Sequence, residues 1–170
     1  KKRKFTLLMA TYFIEKASDW IKNNKYGQAL KYLNYAILLD DSNALAYYLR
    51  GQAWTERAEY EKGQDDFFQA LILDKRNEKY RFALGQNFLI VGKPEAALKH
   101  FKIAYSLTGN KEIKFWLGHA YKGVGNIESS IKCFNDAIDA FPESVEYIMA
   151  RAICYLEIGN LFKAEKDLIS

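Results

Sequence analysis

Small residues recur along this chain at a spacing that points to a stacked repeat. Ala17, Gly51, Gly85, Gly118 and Ala152 stand 34, 34, 33 and 34 positions apart. A period of this size means that one supersecondary unit is copied, and that each copy buries its apolar faces against its neighbours. Other residues keep the same register. Three positions beyond each small residue comes a large ring: Trp20, Trp54, Phe88, Tyr121 and Tyr155. A ring one helical turn past a small residue fills the space beside a close helix approach. Seven positions beyond comes Asn24, Ala58, Gly92, Gly125 or Gly159, where the first helix of each unit stops. Glycine and asparagine accept the left-handed conformation that ends a helix, so Ala58 is the weakest stop signal of the five.

A second helix follows each turn. It carries a small residue twelve past the anchor (Ala29, Gly63, Ala97, Ser130, Ala164) and a bulky one sixteen past it (Leu33, Phe67, Phe101, Phe134, Leu168). Alanine stands nineteen past the anchor at positions 36, 70, 104 and 137. Small alternating with large lets facing helices nest without voids. The stretches between units, such as Asp40-Asp41-Ser42-Asn43 and Phe141-Pro142-Glu143-Ser144, are rich in turn and N-cap residues.

Hydrophobic residues make up 49% of the chain, enough for a continuous core, and there are only two prolines. The net charge of +4 resides in Lys1-Lys2-Arg3-Lys4. The remaining 21 Lys and Arg equal the 21 Asp and Glu, so the body lacks the basic excess of a duplex-binding surface. The basic tip precedes an apolar run, Phe5 to Ile14, as it would in a signal peptide. Two threonines, the immediate Glu15-Lys16 and a length far short of the ~20 residues that span a bilayer favour the opening helix of the first repeat. Cys133 and Cys154 lack ligand spacing and read as reduced thiols, which suits a cytoplasmic protein.

The W/Y-x-x-x-G-x-x-Y-like spacing, the second-helix A…F…A pattern and the closing L-x-L-D/P turn resemble those of tetratricopeptide repeats. The resemblance covers residues 10–170, as units 10–43, 44–77, 78–110, 111–144 and a shorter 145–170, after a basic lead-in at 1–9. It implies an all-α fold, a right-handed superhelical solenoid of antiparallel helix pairs. It also implies a concave surface that holds an extended or helical segment of a partner protein. The groove positions it designates include Tyr48 and Gln52, then Phe82, Gln86 and Leu89, then Phe115, His119 and Lys122, then Met149, with Ile153 and Leu156 beyond. Their rings and aliphatics suit an amphipathic partner segment. They do not suit a carboxylate clamp of the kind that grips chaperone tails in one relative. The matching positions read Tyr48, Gln52, Ala83, Glu112 and Trp116 from the second unit, or Ile14, Ser18, Leu49, Lys79 and Ala83 from the first. Either list lacks the cationic set.

One departure from the family stands out. The residue before the anchor, usually leucine, is Leu84 or Leu117 in two units but Lys16, Arg50 and Arg151 in the others. Sixteen residues after the two arginines stand Asp66 and Asp167, whereas the leucine units carry His100 and Cys133. A buried charge must be paired, so Arg50–Asp66 and Arg151–Asp167 are expected as structural salt bridges.

No catalytic constellation emerges. His100 and His119 fall in different units without a ligand companion, and no phosphate loop or nucleophile elbow is present. The expected function is a non-enzymatic protein-interaction scaffold, without metal or cofactor, without nucleic acid or a membrane span, and within reach of a larger complex. The alternative is a substrate-recruiting or regulatory arm of a larger enzyme or assembly. A last unit that stops within its second helix leads to the expectation that further chain or a partner covers that end.

Overall fold

The computed structural model describes residues 2–169, with side chains from Arg3 onward. Lys1 of the basic tip and the terminal Ser170 lie outside the described residues. Among the described residues ten helices succeed one another: α1 (Lys2–Lys22), α2 (Tyr26–Leu39), α3 (Ala44–Glu56), α4 (Tyr60–Leu73), α5 (Glu78–Ile90), α6 (Pro94–Thr108), α7 (Glu112–Gly123), α8 (Ile127–Ala140), α9 (Val145–Glu157) and α10 (Leu161–Ile169). Among the described residues there is no strand. The chain divides into two compact units, Lys1–Asn87 and Phe88–Ser170, and the division falls inside α5.

In the first unit α1 packs on α2, α2 on α3 and α3 on α4. Ile14, Ala17, Ala29, Leu30, Leu33 and Ala36 form a core that Ala46 and Ala53 extend onto α3. Gly51 faces the fully buried ring of Phe67, and a Cβ there would lie 2.7 Å from that ring. Buried Asn87 ties α5 to its neighbours. Its amide donates to Thr55 Oγ1 (3.2 Å) and to the Tyr60 carbonyl (3.1 Å), and its oxygen accepts from Gln64 Nε2 (3.2 Å). A buried amide so satisfied fixes register at little net cost.

In the second unit α6 packs on α7, α7 on α8, α8 on α9 and α9 on α10. Gly118 lies against buried Phe134 more closely still, and a Cβ would collide with its ring. Ser130 Oγ donates to the Gly118 carbonyl at 2.8 Å and lies 3.4 Å from Cys154 Sγ, joining α7, α8 and α9. Both cysteines are free and buried, and burial pushes both thiols up, so they stay protonated. Leu33, Phe67, Phe101 and Phe134 are fully buried, whereas Leu168, at the same repeat position on α10, is exposed.

Each first helix ends at the expected stop. Ala58 takes a positive φ of 61°, as Gly125 does at 79°. An L-residue held there is strained by roughly 1–2 kcal/mol. Helix starts are capped where an asparagine precedes them. Asn43 accepts from Ala46 N at 3.3 Å and Asn126 from Ser129 N at 2.9 Å.

Two substitutions test this packing. Gly118→Ala should destabilise the chain by about 1–3 kcal/mol in urea titration, because overpacking against Phe134 outweighs the gain in helix propensity. Ala58→Gly should raise stability by about 0.5–1 kcal/mol in the same assay.

Candidate functional site

The positions that sequence register assigns to a groove divide between the two units. In the first unit, α3 carries Tyr48 and Gln52, and α5 carries Phe82 and Gln86 at the corresponding offsets. Tyr48 is half-buried, its ring tilted against that of Tyr80 at 4.9 Å, and its hydroxyl accepts from Gln52 Nε2 at 2.9 Å. Burial raises the Tyr48 hydroxyl above its ordinary range, so it remains a neutral hydrogen-bonding group. This face is a mixed aromatic and carboxamide surface. Leu89, on the last turn of α5, is part-buried in the second unit.

In the second unit one expectation needs correction. Phe115 is 4% exposed and is not available to a partner. The Tyr147 ring of α9 stacks on it at 4.5 Å, His119 meets it edge-on at 4.5 Å, and Phe134 lies beneath. Register places Phe115 on the correct side of α7, but the Tyr147 ring from the following repeat roofs it. His119 is half-buried in the same aromatic cluster. Burial lowers its pKa below the ordinary histidine range, with Lys122 acting in the same direction and Glu146 opposing, so it is a neutral wall at pH 7. Lys122 is engaged: its Nζ lies 2.9 Å from Glu157 on α9.

What remains open is α9. Met149 is exposed, and so are Val145, Ile153 and Leu156. Their spacings of four, four and three residues align them on one helix face. Glu146 and Glu157 flank this stripe, and Glu112 stands at the start of the neighbouring α7. Burial raises the Tyr147 hydroxyl, and Glu112 and Glu146 both add to the rise, so both carboxylates bear on this end of the surface. Val145, Glu146 and Tyr147 lie outside the positions named from sequence. The four-residue step back from Met149 to Val145 is the signal that would have found the first.

The two arginines form parallel clamps. Arg50 Nε and Nη2 donate to the Asp66 carboxylate at 2.8 and 2.7 Å, and Arg151 does the same to Asp167 at 2.8 and 2.6 Å. Each arginine also donates Nη1 backwards, to Asn34 or Asn135, at 2.8 Å. Each clamp therefore joins a first helix to its own second helix and to the second helix of the preceding repeat. Burial raises the Asp66 carboxyl against the pull of Arg50, while its hydrogen bonds to Asp66 raise Arg50. The two shifts pull opposite ways on the worth of the pair. Bidentate geometry at under 3 Å favours the charged pair at neutral pH, with a gain limited by desolvation. Among the described residues no cluster of His, Cys, Asp or Glu is arranged to hold a metal, and no helix is long and apolar enough to cross a membrane.

Family models described as tetratricopeptide repeat match residues 14–80 and 112–144, together more than half of the chain. Anaphase-promoting complex subunit 3 of Schizosaccharomyces pombe is 29% identical over 117 residues, which are 69% of this chain and 17% of that protein. The chain spans between 17% and 28% of the length of the curated relatives it matches. Among solved structures, MamA from Desulfovibrio magneticus RS-1 superposes with a TM-score of 0.90 at 18% identity, covering 95% of this chain and 92% of that one. YrrB, titled a TPR protein with an unusual peptide-binding site, does so at 0.79 and 24% identity, covering 92% and 81%.

Arg50→Leu strands the Asp66 carboxylate, whose side chain is 6% exposed, and should cost about 2–4 kcal/mol in urea titration, at or below the range for a fully buried pair because Arg50 keeps some solvent. The double variant Arg50→Leu/Asp66→Cys, copying the Leu117 and Cys133 of another repeat, should recover most of that loss.

Proposed function

The chain belongs to the tetratricopeptide-repeat family, and on that premise we propose that it is a protein-interaction scaffold whose working surface includes the exposed face of α9. The observation that carries this reading is the stripe Val145, Met149, Ile153 and Leu156, four apolar side chains aligned on one helix and open to solvent. A soluble chain that keeps such a stripe uncovered gains nothing for its own stability, and apolar stripes of this kind serve recognition. Their spacing matches an amphipathic helical segment that inserts its own side chains between them. The first unit's Tyr48, Gln52 and Gln86 offer hydrogen-bonding groups and form a second, more polar surface. A cytoplasmic setting belongs to this reading, supported by the two free, buried thiols.

The second reading is a recruiting or regulatory arm within a larger protein or assembly. It is favoured by the small share, 17–28%, that the chain represents of its curated relatives. Both readings place partner binding on the same surface.

A photo-crosslinking residue placed at Met149, with the same residue at Leu38 on α2 as control, tests the surface. Leu38 is more exposed than Met149 but lies outside the stripe. The expected outcome is a covalent adduct to a polypeptide segment from position 149, lost when Ile153→Glu is added, and none from position 38. Equal adducts from both positions, or none from either, would remove α9 as the interaction face.

A further inference from the structure

Building on that reading of α9, we propose that His119 is an acid-sensitive latch on the joint between α7 and α9, so that mild acid loosens the surface that carries the stripe. α9 is fastened to α7 near both of its ends. At the near end the Tyr147 ring, between Val145 and Met149 in sequence, stacks on Phe115 at 4.5 Å. At the far end Glu157 meets Lys122 Nζ at 2.9 Å. His119 stands between these fastenings, four residues after Phe115 and three before Lys122, so all three share one face of α7. Its ring meets Phe115 edge-on at 4.5 Å and Phe134 of α8 edge-on at 5.3 Å, with Trp116 at 6.3 Å. Phe115 and Phe134 form a core cluster with Ala150 and Cys154 of α9, and Tyr147 packs against it. The latch therefore touches the same rings that seat α9.

The ring is half-buried and within reach of water. Among the described residues His119 has no hydrogen bond or ion pair, so a proton gained there enters no ready-made pairing. The charged groups that act on it are Lys122 from its own helix, which opposes a second positive charge, and Glu146 from α9, which favours one. α8 faces it with the Phe134 ring, and α6 reaches the cluster through Phe101 against Trp116 at 6.2 Å. Glu157 is taken up by Lys122, and Glu112 acts on the Tyr147 hydroxyl, which stays neutral. Burial is the largest influence and, with Lys122, holds the His119 pKa below its ordinary range against Glu146. The folded chain thus favours the neutral ring, whereas the unfolded chain takes up the proton near the ordinary value of about 6.5. The stability that the neutral ring contributes is complete above that value and is lost as the pH falls through it toward the lowered folded value. A charged His119 is drawn out of the rings toward water and Glu146 and crowds Lys122, which weakens both fastenings at once. Val145 and Met149 flank the Tyr147 anchor, so the near half of the stripe is the part displaced.

The test compares the wild-type chain with His119→Phe and His119→Gln, two neutral replacements of which the second keeps a polar side chain. Urea unfolding is followed by circular dichroism at about pH 7.5 and about pH 5.5, which bracket the ordinary histidine value. The wild-type midpoint should fall with acid at least about twofold further than that of either variant. The chain has two histidines, so the imidazole carbon-bound proton signal missing from both variants is that of His119. That signal should titrate below the ordinary histidine range, and the Met149 methyl signal should shift along with it. The crosslinked adduct from position 149 should diminish at the lower pH in the wild type and persist in His119→Phe. A His119 signal that titrates at or above the ordinary range, as it would if the surrounding rings held it as a cation, overturns the proposal. So do wild-type and variant midpoints that fall in parallel. If in that case the adduct forms at both pH values, the docking reading stands and only the latch fails. If no adduct forms at either pH while the His119-dependent loss of stability is seen, the acid-sensitive joint stands and the docking face fails.

Discussion

The contact on which the second and fourth repeats depend is a ring set into the gap left by a missing side chain. Phe67 lies over Gly51 and Phe134 over Gly118, each so close that no Cβ fits between them. The gap brings the two helices of a hairpin together, and the ring then seals the space against water. Burying such a ring is worth roughly 1.5–3 kcal/mol relative to leaving it exposed. The seal is complete only when the next first helix arrives, as α9 does over α8. Leu168 shows the same position without such a cover, and it is exposed. Nearest-neighbour burial of this kind is why the chain is a run of units and not a set of independent hairpins.

Two chemically distinct joints connect successive repeats. Where the preceding second helix supplies Asn34 or Asn135, the next first helix supplies Arg50 or Arg151, and its own partner helix supplies Asp66 or Asp167. Where that asparagine is replaced by Phe68 or Lys102, the arginine position is Leu84 or Leu117. The three polar residues come as a set because a guanidinium in a part-buried joint needs donors on both sides satisfied. The leucine joints reach the same end by apolar packing, with Leu84 and Leu117 buried.

Much of the fold is legible in the sequence because repeat packing writes the same residue type at the same offset many times. Gly118, Phe134 and Ala137 are identifiable as core from their equivalents alone, and even Ala58 keeps the left-handed turn despite its poor chemistry. The Arg–Asp pairs are legible from co-occurrence. Asn34 and Asn135 carry the same signal sixteen residues before each arginine, but an amide does not demand a partner as a charge does. The interaction surface is less legible, since exposure depends on what a neighbouring helix covers. Phe115 has groove register yet is roofed by Tyr147, while Val145 lies open one turn before the first position the register names. Asn87 has no counterpart in the other repeats, so periodicity is silent about it.

Whether α9 presents a working docking face can be read most directly from its own methionine. The chain has two, Met149 in the α9 stripe and Met9 on α1, so a spectrum of carbon-13-labelled methionine methyls contains one reporter on the stripe and one away from it. A working face on α9 predicts that the Met149 methyl signal shifts when the polypeptide that crosslinks to position 149 is added, while the Met9 signal stays in place. It also predicts that the same addition leaves the Met149 signal of the Ile153→Glu chain unmoved. A Met149 signal that stays fixed in the unaltered chain would contradict it.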